Sequence, residues 1–160
     1  MIDPIVMIDT REKKYSHITE WFEANSIRTF RHGLPVGDYT LYLDPSVCID
    51  RKAGLQEVYG NIIQDHKRFK EELIRARYLG SRILILVEQP EIMKIEDVAD
   101  WRNPRWEIWE KGGRKGWPPA SSVSLMRAMK TISEKYGAEW EFCDRSMTAQ
   151  RIVQILKYGG

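Results

Sequence analysis

The sequence predicts an α/β fold with a mixed central sheet and helices on both faces. Two observations indicate it. Short apolar runs typical of strands alternate with segments of helical periodicity, and one pair of runs flanks a turn as a β-hairpin does. A length of 160 residues and a hydrophobic content of 42% suit one well-covered core. We therefore expect a single domain over residues 1–160, with a tryptophan-rich inserted arm at about 100–118.

The first half of the chain predicts strands and helices as follows. "PIVMID" is a strand, and "TREKKYSHITEWFEANS" is a helix because Ile18, Trp21 and Phe22 recur at helical spacing. "IRTFRH" alternates like a strand. "VGDYTLYL" and "SVCIDRK" bracket the turn signal "DPS" and so predict a hairpin.

The second half predicts two helical segments, at about 54–63 and in "QDHKRFKEELIRARYL". "RILILVE" is an almost unbroken apolar run, as expected of a strand buried on both sides. "SSVSLMRAMKTISEKYG" is a helix that Ser121 or Ser122 caps and Gly137 ends. "AEWEFC" is a strand, and "MTAQRIVQILKYGG" is a closing amphipathic helix.

Composition and charge limit the classes of protein. The net charge of +2 neither demands nor excludes a nucleic-acid partner. No apolar run approaches the length of a membrane span and no signal peptide begins the chain, so we expect a cytoplasmic protein with no membrane partner. Cys48 and Cys143 are interpreted as buried thiols, since neither has zinc-ligand spacing.

The stretch "VCIDRKAG" begins as a buried strand and ends in charges. Successive strand side chains point to opposite faces, so Asp50 and Lys52 share one face. The hairpin partner carries Asp38 after Gly37, and Asp9 ends the first strand. Converging carboxylates repel unless a cation lies among them. We therefore expect a divalent metal, with Lys52 stabilising charge on a phosphate or orienting a water.

These blocks resemble a known family. Asp-(x)n-(Asp/Glu)-x-Lys across a hairpin is similar to the PD-(D/E)XK nuclease pattern. "IDTRE", "LPVGDYTL", "IDRK", "HKRF" and "RILILVE" follow the order and spacing of the XPF-type structure-specific endonuclease domain. The resemblance covers nearly the whole chain apart from the arm. It implies a restriction-endonuclease-like fold and, since no helix-hairpin-helix module follows, a standalone form.

The resemblance also implies site residues and a cofactor. Asp38 and Asp50 would be metal ligands, Lys52 the catalytic amine and Asp9 a further acid and metal ligand, with Mg²⁺ or Mn²⁺ as the cofactor and no small-molecule cofactor. Asp50 stands where the family usually has Glu. Gln56 stands where the family's hallmark ends in Asp, and Glu57 is the candidate replacement.

DNA is the expected partner, and the family resemblance also makes a homodimer plausible, with the apolar faces of the last two helices as candidate contacts. The candidate DNA contacts are Arg11, Arg51, Arg68, Arg105 and Lys115. For the basic residues of the helix that holds Arg68, a solvated face explains the pattern as well. The four tryptophans and five Lys or Arg of the arm suit base stacking, a packed lid or a subunit contact.

Three functions remain open at this point. The leading one is a metal-dependent DNA endonuclease acting on branched, flap or single-strand/duplex structures. The second is a catalytically silent binding or scaffolding domain of the same fold, which Gln56 and Asp50 favour. The third is a receiver-like phosphoacceptor, which is disfavoured because its lysine belongs on a separate strand. Taken singly, Asp9 is also explained as a helix cap and Asp50 with Lys52 as a surface ion pair.

Overall fold

One six-stranded mixed sheet organises the chain, in the order β2-β1-β3-β4-β5-β6. The structure, a computed structural model, describes residues 3–159, so residues 1, 2 and 160 of the predicted domain lie outside it. The strands are Ile5–Asp9 (β1), Arg28–His32 (β2), Tyr39–Leu41 (β3), Val47–Lys52 (β4), Arg82–Glu88 (β5) and Glu139–Cys143 (β6). The predicted α/β class with a mixed sheet is confirmed.

The sheet is mixed because a hairpin lies between parallel pairs. β3 runs antiparallel to both β1 and β4, whereas β1 with β2, β4 with β5 and β5 with β6 are parallel. The turn between β3 and β4 contains the predicted "DPS", in which Asp44 Oδ1 accepts the N–H of Ser46 at 3.2 Å. This local turn places the ends of β3 and β4 side by side.

Helices cover both faces of the sheet. They are Ser16–Ala24 (α1), Leu55–Tyr59 (α2), His66–Tyr78 (α3), Pro104–Lys111 (α4), Ser122–Tyr136 (α5) and Thr148–Tyr158 (α6). One core lies under α3 and α5, and we call that side of the sheet the α3 face. The other core lies under α1 and α6, and we call that side the α6 face.

Strand alternation explains how β4 serves both cores. Cys48 belongs to the core under α3, and Ile49, its neighbour, belongs to the core under α6. Asp50 and Lys52 follow Cys48 at intervals of two and therefore point to the α3 face. Lys52 confirms the direction, because its Nζ lies 5.4 Å from the centre of the Phe69 ring on α3.

The arm includes a short helix. It contains α4, whose first turn is capped by Asn103, with Oδ1 accepting the N–H of Arg105 at 3.0 Å. The Gly and Pro residues around this helix make it difficult to predict from the sequence. Among residues 3–159 no helix is both long and apolar enough to cross a membrane.

Candidate active site

Two carboxylates from neighbouring strands meet beside a cavity of about 650 Å³. Asp50 lies within β4 and is buried, and Asp38 comes directly before β3. The backbone N–H of Asp38 donates to Ile49 O at 2.7 Å, and Asp38 Oδ2 accepts the N–H of Arg51 at 2.8 Å. The hairpin thus brings Asp38 and Asp50 together, as its sequence predicts.

Gly37 makes this approach possible. Its φ is +70°, a left-handed conformation that side chains disfavour. A Cβ at this position would lie 2.8 Å from Ile49 O, closer than van der Waals contact allows. Glycine therefore permits the chain to pass against β4 and to present Asp38 beside Asp50.

Lys52 supplies the amine of the site. Its Nζ lies 3.1 Å from Asp50 Oδ2, and the two side chains are only 9% and 6% exposed. Burial lowers the pKa of Lys52, but the carboxylates of Asp50 and Glu57 outweigh burial and hold it above its ordinary value. The amine is therefore charged at neutral pH.

The surroundings of Asp38 and Asp50 disfavour the charged form of both carboxyl groups. Burial raises the pKa of Asp50 to about 6, even though Lys52 opposes the shift. Burial, and then the negative charge of Asp50, hold the pKa of Asp38 well above its usual range. Close carboxylates shielded from solvent each favour protonation of the other unless a cation joins them.

The donor set fits a hard divalent cation. Asp50 Oδ2 is buried, and within residues 3–159 its close partner is the Lys52 ammonium at 3.1 Å, which is not aligned as a hydrogen bond. Mg²⁺ is commonly held by one or two carboxylates together with waters and substrate phosphate oxygens. Asp38 and Asp50 provide that number. In the same range, no three His, Cys, Asp or Glu side chains are grouped to hold a metal by themselves.

Asp9 lines the same cavity, and hydrogen bonds hold both of its carboxylate oxygens. Its Oδ2 accepts from Arg11 Nε at 2.8 Å, and its Oδ1 accepts from the N–H of Leu34 at 2.8 Å. Burial raises the pKa of Asp9, but these two donors outweigh burial and keep it below its usual range. Asp9 therefore holds Arg11 at the cavity, and its role as a metal ligand stays a prediction, since metal-bound carboxylates are themselves hydrogen-bonded.

Arg51 does not fit its predicted role as a DNA contact, because its side chain is buried on the α6 face. Arg51 Nε and Nη2 donate to Glu12 at 2.9 and 3.0 Å. Nη1 donates to Glu88 at 2.5 Å, and Nη2 also donates to Lys13 O at 2.8 Å. The guanidinium is enclosed by these acceptors and holds β4 in place.

Glu88 extends this buried network to two helices. Its Oε2 accepts from the hydroxyl of Thr148 at 2.7 Å and lies 2.7 Å from His17 Nε2. Burial raises the pKa of Glu88, but Thr148, His17 and Arg51 outweigh it and leave the pKa below its usual value. The strand that carries Asp50 and Lys52 is therefore tied to α1 and α6 from behind.

Sequence reasoning missed Glu72 on α3. Glu72 Oε1 accepts the N–H of Gly37 at 2.9 Å, and its charge is one cause of the raised pKa of Asp50. It lies one helical turn after Arg68, so the "HKRF" block carried a signal that could have found it.

Two neighbouring residues of α2 are candidates for the position at which the family's hallmark motif ends in Asp. Glu57 lines the cavity with Lys52, and its Oε2 accepts the N–H of Ala53 at 2.8 Å. Gln56 lies outside this cavity, at a smaller pocket with Gln89. Glu57, rather than Gln56, is placed to act on Lys52.

The remaining basic candidates lie at different places. Arg11 and Arg68 line the cavity, and the Arg11 side chain is 63% exposed. Arg105 is half-buried: its guanidinium lies 4.5 Å from the centre of the Tyr59 ring and donates to Gln56 O at 3.4 Å. Lys115 is exposed in the turn after α4.

The arm contacts α2 through Arg105, which lies on the Tyr59 ring. Directly after the arm, the N–H of Ala120 donates to the Tyr59 hydroxyl at 2.7 Å. Within the arm, Trp106 packs edge-on against Trp109 with ring centres 5.7 Å apart, whereas Trp117 is 95% exposed. The arm thus touches the helix that carries Glu57 near its own first helical turn.

The fold and the paired strand ends define an XPF-type nuclease fold, as two solved structures show. The chain matches XPF from Aeropyrum pernix with a TM-score of 0.67 and 21% sequence identity, over 98% of this chain and 65% of that chain. XPF from Aeropyrum pernix in complex with DNA gives a TM-score of 0.65 and 22% identity, over 98% and 64%. The chain spans a little under two thirds of these structures.

A family model described as the ERCC4 domain matches residues 8–154. The chain therefore belongs to the ERCC4 domain family, and the predicted resemblance is confirmed. No curated protein matches it.

Proposed function

We propose that this chain is a divalent-metal-dependent DNA endonuclease that hydrolyses phosphodiester bonds. The observation that carries the proposal is the pair of carboxylates, half-buried Asp38 and buried Asp50, beside Lys52, whose Nζ lies 3.1 Å from Asp50 Oδ2. Membership in the ERCC4 domain family supports it, and the related Aeropyrum pernix XPF has been seen in complex with DNA.

In this proposal Asp38 and Asp50 hold Mg²⁺ or Mn²⁺ together with waters and a phosphate oxygen. The metal, when bound, supplies Lewis acidity and lowers the pKa of a water. Lys52 directs its charge at the phosphate, where negative charge develops in the transition state. Glu72 and the Arg51 network fix the strands that carry these groups, so the site needs little rearrangement when substrate binds.

A cleavage assay tests the proposal. It incubates the protein with labelled single-stranded, duplex, flap and forked DNA in Mg²⁺, Mn²⁺ or EDTA. We expect metal-dependent cutting that Asp50→Asn abolishes and that Lys52→Ala slows by roughly 10²–10³. A matched control is Asp144→Asn, because Asp144 is exposed and bonds only to its own loop at Ser146.

Two outcomes would overturn the proposal. Equal cutting by wild type and Asp50→Asn would show that Asp50 is not part of the active site. No cutting with DNA binding retained would favour the catalytically silent domain of the same fold.

Arg11, Arg68 and Lys115 are the proposed phosphate contacts, because they are exposed basic residues and the first two line the cavity. Each neutralised phosphate steepens the salt dependence of binding. Arg68→Ala should therefore reduce the slope of log K against log salt by about one. Arg105 is assigned to anchoring the arm on Tyr59, and its DNA contact stays a prediction.

A homodimer remains a proposal that the family resemblance supports. The apolar faces of α5 and α6 are mostly used inside the chain, since Leu125 and Met129 of α5 and Ile152 and Ile155 of α6 are fully buried. Light scattering after gel filtration measures the mass directly, and a mass of one chain would reject the dimer.

A further inference from the structure

An aromatic surface lies on the outer half of the sheet, at its edge strand β2. It is formed by Phe30 and His32 of β2 and by Tyr42, which follows β3. Phe30 stacks on His32 with ring centres 6.1 Å apart and an interplanar angle of 22°, and it meets Tyr42 edge-on at 6.3 Å. Phe30 and Tyr42 are 50% and 53% exposed. We call these three residues the aromatic platform.

The platform lies on the same face of the sheet as the carboxylate pair. β1 and β2 are parallel and pair Met7 with Phe30 and Asp9 with His32, so each pair points to one side. Val6 and Ile8 belong to the core under α6, and the alternate residues of β1 therefore point to the α3 face. Asp9 on that face lines the cavity with Asp50. The platform is thus the outer continuation of the active-site surface.

Distance and charge connect the platform to the cavity. β2 is separated from β4 by β1 and β3, which places His32 three strand spacings, roughly 14 Å, from Asp50. Arg11, held by Asp9, stands between them and is largely exposed. Arg28 extends the exposed basic charge along β2. The acidic residues Asp3 and Asp44 lie beyond the far ends of β1 and β3.

We infer that the aromatic platform binds unpaired bases of the DNA strand that enters the active site. The inference rests on the proposed nuclease function and adds a binding site for a single-stranded segment outside the cavity. Aromatic rings stack on any base, and interspersed arginines contact the phosphates, which is how single strands are held without sequence readout. In a duplex the bases are already paired and stacked on one another, so their faces are not free to stack on the platform.

Binding without cleavage tests the inference separately from the nuclease activity. Fluorescence anisotropy in EDTA would measure the affinity for a labelled oligodeoxythymidine and for a duplex of the same length. Phe30→Ala should weaken single-strand binding by roughly tenfold and leave duplex binding nearly unchanged. Phe30→Leu should weaken it similarly, because leucine keeps the apolar volume and lacks the ring face.

Tyr78→Ala is the matched control. Tyr78 is 89% exposed at the end of α3, away from the platform, so its loss should leave single-strand affinity at the wild-type value. Because half of the Phe30 side chain is already in solvent, the variants should fold, and circular dichroism would check this.

Three outcomes would overturn the inference. In the first, wild type does not bind the single strand. In the second, the Phe30 variants bind it with unchanged affinity. In the third, light scattering shows that wild type is a dimer and Phe30→Ala a monomer, with no other difference between them. The last would assign the platform to a second copy of the chain. If the single strand binds through the platform and no DNA is cut, the proposed nuclease function fails, and the platform is a single-strand binding site without a role in cleavage.

Discussion

The carboxylate of Asp38 is bound by the backbone N–H of Arg51, at 2.8 Å from Oδ2. Arg51 stands between Asp50 and Lys52, so the acid of one strand is fixed to the strand that carries the other acid and the amine. The Arg51 side chain points the other way and is bound to Glu12 and Glu88. One residue therefore aligns both sides of β4, and the geometry of the acid pair exists before any ligand arrives.

The first prediction concerns the pH dependence of stability without metal. Asp50 has an ordinary pKa of 3.8 and a folded-state pKa of about 6. A raised pKa contributes stability that is fully present below pH 3.8 and is lost as the pH rises through about 6. In EDTA, Asp50→Asn should therefore gain stability relative to wild type as the pH rises through this window. Urea denaturation at several pH values measures the difference.

Metal provides the complementary measurement. At neutral pH, Mg²⁺ should raise the melting temperature of wild type, because binding to the folded state stabilises it. Asp50→Asn should respond much less. Stability curves of the two proteins that run parallel across the pH range, together with equal responses to Mg²⁺, would contradict the assignment of Asp50.

The second prediction concerns Gly37→Ala. The substitution adds a Cβ at 2.8 Å from Ile49 O in a backbone of positive φ, so both the conformation and the contact become unfavourable. We expect a loss of stability well above the cost of positive φ alone, with Asp38 displaced and Mg²⁺ binding weakened. Thermal melting and metal titration measure the two effects.

Gly80→Ala separates the two causes. Gly80 has a similar φ of +68°, but nothing lies within 4 Å of its added Cβ. Its cost should be limited to about 1–2 kcal/mol from the left-handed backbone. Equal losses at both positions would show that the contact of Gly37 with β4 is unimportant.

The third prediction concerns the buried network behind β4. Arg51→Ala leaves Glu12 and Glu88 buried without their cation, and removing one partner of a buried pair costs about 3–5 kcal/mol. Urea denaturation would measure that loss in the free energy of unfolding. For comparison, Lys111→Ala breaks an exposed pair with Glu107 and should cost well under about 1 kcal/mol. Similar costs for the two variants would argue against a structural role of Arg51.

Local rules predicted the centre of the site from the sequence. The period of two places Asp50 and Lys52 on one face, and the "DPS" turn fixes the partner of β4, so Asp38 is brought near by contacts that are close in sequence. These signals need only strand geometry and turn chemistry.

Tertiary contacts explain what the sequence did not predict. Glu72 reaches Gly37 from a helix 35 positions later, and Arg51 finds Glu88 on the next parallel strand. The period of two already turns Arg51 away from Asp50, but only the packing of α1 and α6 reveals that this side is enclosed. The hydrogen bonds of Asp9 were missed for a similar reason, because Leu34 and Arg11 reach its oxygens only in the folded chain.

The last prediction concerns the acid after β4. Glu57 raises the pKa of Lys52 and bonds to Ala53, whereas Gln56 stands outside the cavity. Glu57→Gln keeps an oxygen for the Ala53 N–H and removes only the charge. Cleavage should fall by about 10-fold, within the range seen when groups behind a catalytic residue are changed. The alkaline limb of the pH–rate profile should shift to lower pH, because Lys52 then loses its proton more easily.

Gln56→Ala is the matched control on the same helix, and it should leave both the rate and the alkaline limb unchanged. A purely structural role of Glu57 would lower the rate without moving that limb, since it would leave the pKa of Lys52 alone. A shift of the limb in Glu57→Gln and its absence in Gln56→Ala would therefore assign to Glu57 the charge that the hallmark position lacks. An unmoved limb in both variants would show that Glu57 does not contribute to keeping Lys52 protonated, which would leave that role to Asp50.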